Sequence, residues 1–257
     1  MIITGVNKKM KSLSKILQLI RPENGFTLVE LLVAMGISAV VMAAVYSTYR
    51  SQQQSYIVQD QVAAAQQNLR AAMYVMTRDI RMAGFDPTRS GGFGIADAQA
   101  GSITFTSDNG TDTGEYGSGA IETGETVTYS LSGKNLVRNA GGGNQVAAEN
   151  IEALGFAYAF DNNDDGLADT AADGSIKWAV DSGSPGDGFL DLCLDGTTVN
   201  VSVNKIKSVK IWILARTDKT LRSYTDTKTY EVGVSDITPE PGYMYRLLCE
   251  TTRCRNL

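Results

Sequence analysis

The feature that most constrains this chain is an unbroken apolar run near its N-terminus, over residues 26–46 (FTLVELLVAMGISAVVMAAVY). Its only charged residue is Glu30. A helix of about 20 apolar residues crosses the hydrocarbon core of a bilayer. Because the basic residues precede the run, the positive-inside rule places residues 1–25 in the cytoplasm and everything after Tyr46 across the membrane. The run therefore predicts one membrane-spanning helix.

A cleaved secretory signal and a plain membrane anchor are the alternative interpretations of this run. The apolar part of a secretory signal is shorter, about 7–15 residues, and ends at a cleavage site of small residues. No clean site of that kind is found here. The length of the run therefore disfavours a secretory signal, whereas the run alone leaves a plain anchor open.

Composition narrows the function classes. The chain has no histidine, which removes Ser-His and Cys-His catalysis and histidine-ligated zinc sites, so we predict that it is not an enzyme. The formal net charge is −5, and residues 1–25 contribute five basic residues against one acidic residue, so their removal would leave −9. Because affinity for phosphate backbones comes mostly from Lys and Arg, we expect no nucleic-acid partner.

The helix is predicted to continue beyond the membrane, because residues 46–83 contain no proline or glycine. An apolar stripe with helical spacing runs along this segment (Val62, Leu69, Met73, Met76 and Ile80). A helix over residues 26–83 is roughly 87 Å long at about 1.5 Å per residue. A domain of this size does not cover such a rod, so part of it is expected to pack on other chains.

The remaining residues, 84–257, are predicted to form a β-rich domain that begins where Gly84 and Pro87 end the helix. The predicted strands are residues 102–107, 126–131, 134–139, 151–160, 208–216, 227–234 and 243–248. Alternating side chains over 151–160 and 208–216 indicate half-buried strands of an antiparallel sheet that packs on the helix. The predicted fold class is α+β.

The segment Gly25-Phe26-Thr27-Leu28-Val29-Glu30 resembles the site that prepilin peptidase cleaves. The resemblance implies that residues 1–25 are a leader, removed by that peptidase after Gly25. It also implies that Phe26 becomes a methylated N-terminus and that the helix over 26–83, with its membrane part 26–46, stays with the product. The implied architecture is the type IV pilin fold, in which a long N-terminal helix packs on an antiparallel sheet.

Glu30 needs a partner, because an ionised carboxylate at membrane depth costs about 2.5–3.5 kcal/mol. Cleavage after Gly25 would create an α-amine on Phe26, which is four residues from Glu30 on one helix face. In pilins the corresponding Glu is thought to pair with the N-terminus of a neighbouring subunit and to set its register in the filament. The alternative is a Glu30 side chain that points at lipid headgroups.

Five further segments resemble the PilW family of minor pilins: residues 67–72 (QNLRAA), 78–85 (RDIRMAGF), 150–156 (NIEALGF), 209–216 (VKIWILAR) and 255–257 (RNL). The resemblance implies a low-copy subunit that helps to initiate assembly of a type IV pilus, in a tip complex with other minor pilins and next to the major pilin. The precursor would lie in the inner membrane with a periplasmic outer domain and later reach the filament. A J-type pseudopilin of type II secretion is the alternative.

Residues 161–169 (DNNDDGLAD) match the start of a calcium loop. The expected ligands are Asp161, Asn163, Asp165, the Leu167 carbonyl and Asp169, with Gly166 at the turn. Ala172 stands where a bidentate Glu is expected, so Asp173 or a distant carboxylate such as Asp187 or Asp191 would have to complete the site. The alternative is a solvated turn, because Asp, Asn and Gly also favour turns.

The three cysteines, Cys193, Cys249 and Cys254, allow one disulfide and leave one thiol over. On an extended strand, Cys249 and Cys254 would lie about 17 Å apart and on opposite faces. A bridge from Cys193 to one of them is then favoured, and a turn in the C-terminal segment would instead allow Cys249 to pair with Cys254.

Arginines form two patches in the sequence, one at a helix edge (Arg70, Arg78, Arg81 and Arg89) and one near the C-terminus (Arg246, Arg253 and Arg255). Solvated or intersubunit charge is the favoured interpretation, and a narrow DNA-binding stripe is the alternative.

Overall fold

The computed structural model describes residues 25–110, 117–183, 186–221 and 224–257, so the predicted leader lies outside the described residues except for Gly25. One α-helix, α1 (Leu28–Met82), is followed in these ranges by thirteen strands and a short 3-10 helix (Val203–Lys205). The strands are β1 (Ile95–Asp97), β2 (Ile103–Thr106), β3 (Thr126–Ser132), β4 (Asn135–Asn139), β5 (Asn144–Ala148), β6 (Ile151–Phe160), β7 (Ala179–Val180), β8 (Phe189–Cys193), β9 (Thr198–Ser202), β10 (Ile206–Arg216), β11 (Tyr230–Val232), β12 (Ser235–Ile237) and β13 (Tyr245–Arg253).

The chain divides into two compact units, and the boundary between them falls after Tyr56. In the N-terminal unit every described residue, 25–56, is exposed. The helix here is long and apolar enough to cross a membrane, by length and composition.

In the C-terminal unit the second half of α1 buries one face. Leu69, Met73, Met76 and Ile80 are all buried, at the spacing that the apolar stripe predicts. They share one core with the inner faces of both large sheets. One sheet has the strand order β1-β2-β3-β4-β5 and the other has the order β13-β10-β6-β7-β8-β9, with neighbouring strands antiparallel. The predicted α+β class is thereby confirmed.

A buried carboxylate ties α1 to the five-stranded sheet. Asp79 on α1 accepts a hydrogen bond from the Tyr129 hydroxyl on β3 at 2.8 Å and one from Arg138 Nε on β4, also at 2.8 Å. The Asp79 side chain is only 10% exposed. Burial and the neighbouring carboxylate raise the pKa of Tyr129 well above its usual value. Charge-assisted bonds of this kind are stronger than neutral ones, so they fix the helix against the sheet.

The central strand β6 is buried on both faces beyond Glu152, so the prediction that it is half-buried is wrong. β10 is buried on both faces over residues 211–215, whereas Ser208 and Lys210 on its outer face are only partly buried, so the prediction holds for the first part of that strand. Their inner face, with pairs such as Phe156 and Ile211, joins the core beneath α1. On the outer face, Trp212 and Leu214 pack against the hairpin formed by β11 and β12. The hairpin approaches so closely that a Cβ at Gly155 would lie 3.0 Å from the hairpin backbone.

The strand predictions succeeded where alternation was strong. β6 has the predicted bounds, and β2, β3, β4 and β10 lie within two residues of theirs. The predicted strand over 227–234 contains β11 and the turn at Gly233, after which the chain returns as β12, and β13 continues to Arg253. Six strands are not predicted from the sequence: β1, β5, β7, β8, β9 and β12. They are only two to five residues long, so their alternation is too short to recognise.

The last two residues of the chain close the end of α1. The side-chain amide of Asn256 donates to the Arg81 carbonyl at 3.3 Å, which occupies one of the carbonyls that a helix end leaves free. The Leu257 side chain packs against Gly84, which has a φ of +76°. A Cβ on Gly84 would overlap Leu257 Cδ2 and would lie 3.0 Å from the Asn256 carbonyl oxygen.

We expect Gly84→Ala to destabilise the protein by about 1–3 kcal/mol, because it adds both positive-φ strain and a clash with the C-terminus. Thermal unfolding of the full chain in detergent micelles measures the effect, at about 2–4 °C per kcal/mol for a unit of this size. Gly101→Ala is the matched control, because nothing lies within 4 Å of a Cβ there. Equal melting temperatures for the two variants would contradict this account of the helix end.

Candidate functional site

The predicted cleavage site lies just before the first turn of α1. Gly25 and Phe26 are exposed, with Phe26 at 87%. Glu30 forms a capping box with Thr27: a Glu30 carboxylate oxygen accepts from the Thr27 amide at 2.9 Å, and the Thr27 hydroxyl accepts from the Glu30 amide at 3.2 Å. The carboxylate of Glu30 therefore has a local partner in Thr27.

The acidic loop folds around Asp161, which is buried at the end of β6. Its two carboxylate oxygens accept from the backbone amides of Asp165, at 3.2 Å, and Gly166, at 2.8 Å. Asn163 Oδ1 accepts from the Asp165 amide at 3.1 Å, and Asp165 Oδ1 accepts from the Leu167 amide at 2.8 Å. Three predicted ligands, Asp161, Asn163 and Asp165, thus direct their side-chain oxygens at backbone N–H groups of one turn.

The remaining predicted ligands contact other parts of the loop. Asp169 accepts from the Asn162 amide at 3.3 Å. Asp173 is occupied in the next turn, where it accepts from the Ser175 amide and hydroxyl at 2.9 and 2.7 Å. Throughout the described ranges, no three acidic, cysteine or histidine side chains are grouped as a metal site. Calcium binding therefore stays a prediction.

A second group of carboxylates surrounds Gly183. A Cβ at Gly183 would lie 2.9 Å from Asp191 Oδ2 and 3.7 Å from an oxygen of each of Asp181 and Asp187. Asp181 is buried and accepts from Gln99 Nε2 at 2.6 Å. Burial, together with the nearby aspartates, raises the pKa of Asp181. Sequence reasoning noted Asp187 and Asp191 but missed Asp181, whose burial depends on contacts with a distant segment.

The three cysteines are free thiols in the structure, which differs from the predicted disulfide. Cys249 pairs with Trp212 and faces away from α1, whereas Cys193 and Cys254 lie in the core beneath α1. Cys254 follows β13, and its amide donates to the Lys207 carbonyl on β10, so Cys254 lies in line with β13, four strand spacings from β8 and Cys193. That separation is roughly 19 Å along a sheet, beyond the reach of a disulfide. Burial raises the pKa of the Cys254 thiol to about 12, so it stays protonated.

The arginine patches come partly together. Arg70, Arg78 and Arg81 on α1 and Arg255 after β13 line one groove of about 540 Å³. Residues 89, 246 and 253 are not among the residues that line it. No sequence pattern indicates this groove, because its two sides are about 170 residues apart in the chain.

Comparisons with known proteins agree with the resemblance to a prepilin cleavage site and with the resemblance to the PilW family. Residues 20–46 match the model of the prokaryotic N-terminal methylation motif, and residues 120–256 match the model of type IV pilus-assembly protein W. A search of curated proteins gives no significant match. Among solved structures, a type IV-like pilin from Thermus thermophilus aligns with a TM-score of 0.41 at 12% identity, over 74% of this chain and 95% of that one.

The match to the pilus-assembly model is the more specific of the two, and it includes the central strands β6 and β10 and the edge strand β13. Because this match covers more than half of the chain, the chain belongs to the type IV pilus-assembly protein W family.

Proposed function

We propose that this chain is a minor pilin that helps to initiate assembly of a type IV pilus, in a tip complex with other minor pilins. Membership of the pilus-assembly protein W family, together with the N-terminal methylation motif, supports a minor pilin role. The chain would be made as an inner-membrane precursor with its outer domain in the periplasm, and it would act as a structural subunit without catalysis.

The observation that carries the proposal is the exposure of the N-terminal half of α1. All described residues up to Tyr56 are exposed, including large apolar side chains such as Leu32, Val40 and Met42. Apolar surface of this extent is stable only when a bilayer or other protein covers it. A prepilin-type helix would be covered by the bilayer at first, and by neighbouring subunits once the subunit leaves the membrane and enters a filament.

Deletion of the gene tests the proposal directly. We expect surface filaments, counted by electron microscopy, to disappear or become rare in the deletion strain and to return when the gene is restored. Unchanged filaments would refute an initiating role. If type II secretion were lost instead, the chain would be a pseudopilin.

Glu30 would pair with the methylated α-amine of Phe26 in a neighbouring subunit, once cleavage has created it. Both side chains are exposed in the described chain, and the local Thr27 contacts occupy only one carboxylate oxygen of Glu30. The second oxygen is therefore available for an intersubunit ion pair, which would offset the cost of a charge at membrane depth.

We expect Glu30→Leu to be cleaved normally but to enter filaments poorly, because the mutant cannot form that ion pair. Immunoblots of the precursor and of sheared filaments measure the two steps. Thr27→Ala is the discriminating control, since it removes the capping box and keeps the carboxylate. If Thr27→Ala showed the same incorporation defect, Glu30 would act through the helix cap; normal incorporation of Glu30→Leu would refute pairing.

If the loop over residues 161–173 binds calcium, the ion should stabilise the protein. Extracellular calcium sites bind at about 0.1–1 mM, so about 10 mM calcium should add about 1.4–2.7 kcal/mol of stability. Calorimetric titration and melting of the full chain in detergent measure this. Asp165→Ala should abolish the effect and Asp60→Asn, on the exposed side of α1, should not. No heat and no stabilisation would retire the calcium site.

A further inference from the structure

The groove between α1 and β13 carries an excess of positive charge. Arg70, Arg81 and Arg255 are exposed, and none forms an ion pair with a carboxylate within the described ranges. Arg78 contacts Asp79 at 3.3 Å, but that carboxylate also binds Arg138. One carboxylate, Glu250, lines the groove. Four guanidinium groups in a chain of net charge −5 are therefore gathered where the structure has little to neutralise them.

The groove also presents apolar surface. The Tyr74 and Met82 side chains are 69% and 41% exposed, and Leu248 is half-buried on the opposite wall. On α1, Arg70, Tyr74 and Arg78 follow one another at four-residue spacing and so form one ridge along the helix. Mixed apolar and cationic walls suit a polypeptide better than a small anion, since aromatic, Met and Arg side chains are enriched in protein interfaces.

One wall of the groove is the edge of a sheet. β13 is the terminal strand of the six-stranded sheet, and its described pairing is with β10 alone, over nine positions. Its inner face carries Leu248 and Glu250 into the groove. A long edge strand exposes a row of backbone N–H and C=O groups, which natural proteins cover or protect. Addition of a strand from a partner is a common way of covering such an edge.

We propose that this groove binds an extended, carboxylate-bearing segment of another subunit of the same filament, which adds as a strand to β13. The backbone of that segment would pair with the free edge of β13. Its acidic side chains would reach the guanidinium groups of Arg70, Arg78, Arg81 and Arg255, and its apolar side chains would contact Tyr74. The inference rests on the proposed role as a filament subunit, which supplies the class of partner.

A polypeptide fits these observations better than a nucleic acid. A nucleic acid would gain from the arginines but could not pair with the edge of β13, and it would be repelled by the acidic remainder of the chain. An acidic strand would form ion pairs with the arginines of the groove and backbone hydrogen bonds with the edge of β13.

Site-specific photocrosslinking tests the proposal in cells that assemble filaments. Tyr74→p-benzoylphenylalanine places the crosslinker in the groove, at an exposed position where it does not disturb the core. We expect a crosslinked peptide, identified by mass spectrometry, that comes from another subunit with an N-terminal methylation motif and that contains acidic residues in an extended segment. A crosslink to nucleic acid or lipid, or none in assembled filaments, would overturn the proposal.

Charge reversal provides the matched test. Arg70→Glu combined with Arg255→Glu should lower the crosslink yield about tenfold, because two exposed ion pairs become repulsive contacts. Neither arginine forms a hydrogen bond or ion pair elsewhere in the described part of the chain, so the double variant should keep its melting temperature. Arg253→Glu, at an exposed position at the end of β13 but outside the groove, should leave the yield within about twofold.

Filament counts in the same strains separate the two proposals. If the gene is needed for filaments but the double variant and Arg253→Glu crosslink equally well, the groove assignment is wrong and the function proposal stands. If filaments form without the gene, the initiating role fails. A crosslink to another pilin-type subunit that depends on Arg70 and Arg255 would still support the groove in that case.

Discussion

The burial of one face of α1 against the two large sheets is the interaction on which the rest of the outer unit depends. The buried stripe that includes Leu69 and Ile80 supplies the centre of the main core, and both sheets direct their inner faces toward it. Each fully buried side chain of this type contributes about 1.5–3 kcal/mol. Asp79 adds a directional constraint that apolar packing lacks, because its bonds to Tyr129 and Arg138 specify which part of the helix meets the five-stranded sheet.

The two halves of α1 differ in what surrounds them. Up to Tyr56 its side chains are exposed on every side, whereas beyond that point the face that carries Leu69 is buried and the opposite face remains exposed. The exposed face of the second half carries the arginines of the groove, and the first half carries apolar residues. A single secondary-structure element therefore combines a segment suited to a bilayer, a segment that organises a globular core and a charged surface suited to a protein partner.

The features that sequence reasoning predicted well are those encoded by local periodicity or by a short motif. The helix was predicted over 26–83 and is observed as Leu28–Met82, and β6 has the bounds that its alternation predicts. The features it missed depend on contacts between distant segments. Coverage of the outer face by the β11–β12 hairpin buries both faces of β6 and of the second half of β10, and only the fold brings Arg255 and Arg70 to one groove. The distances between the cysteines could not be predicted for the same reason, since their spacing in the chain does not show which strands separate them in the sheet.

The contact of Asn256 and Leu257 with the end of α1 has a consequence for the order of biosynthesis. Asn256 and Leu257 are made long after α1, yet they close the end of that helix, and β13, just before them, completes the edge of the six-stranded sheet. The outer unit therefore cannot reach its final structure until Leu257 has left the ribosome. The apolar N-terminal segment emerges long before that point and can already be inserted in a bilayer, so the outer unit would then complete its folding as a chain tethered at its N-terminal end.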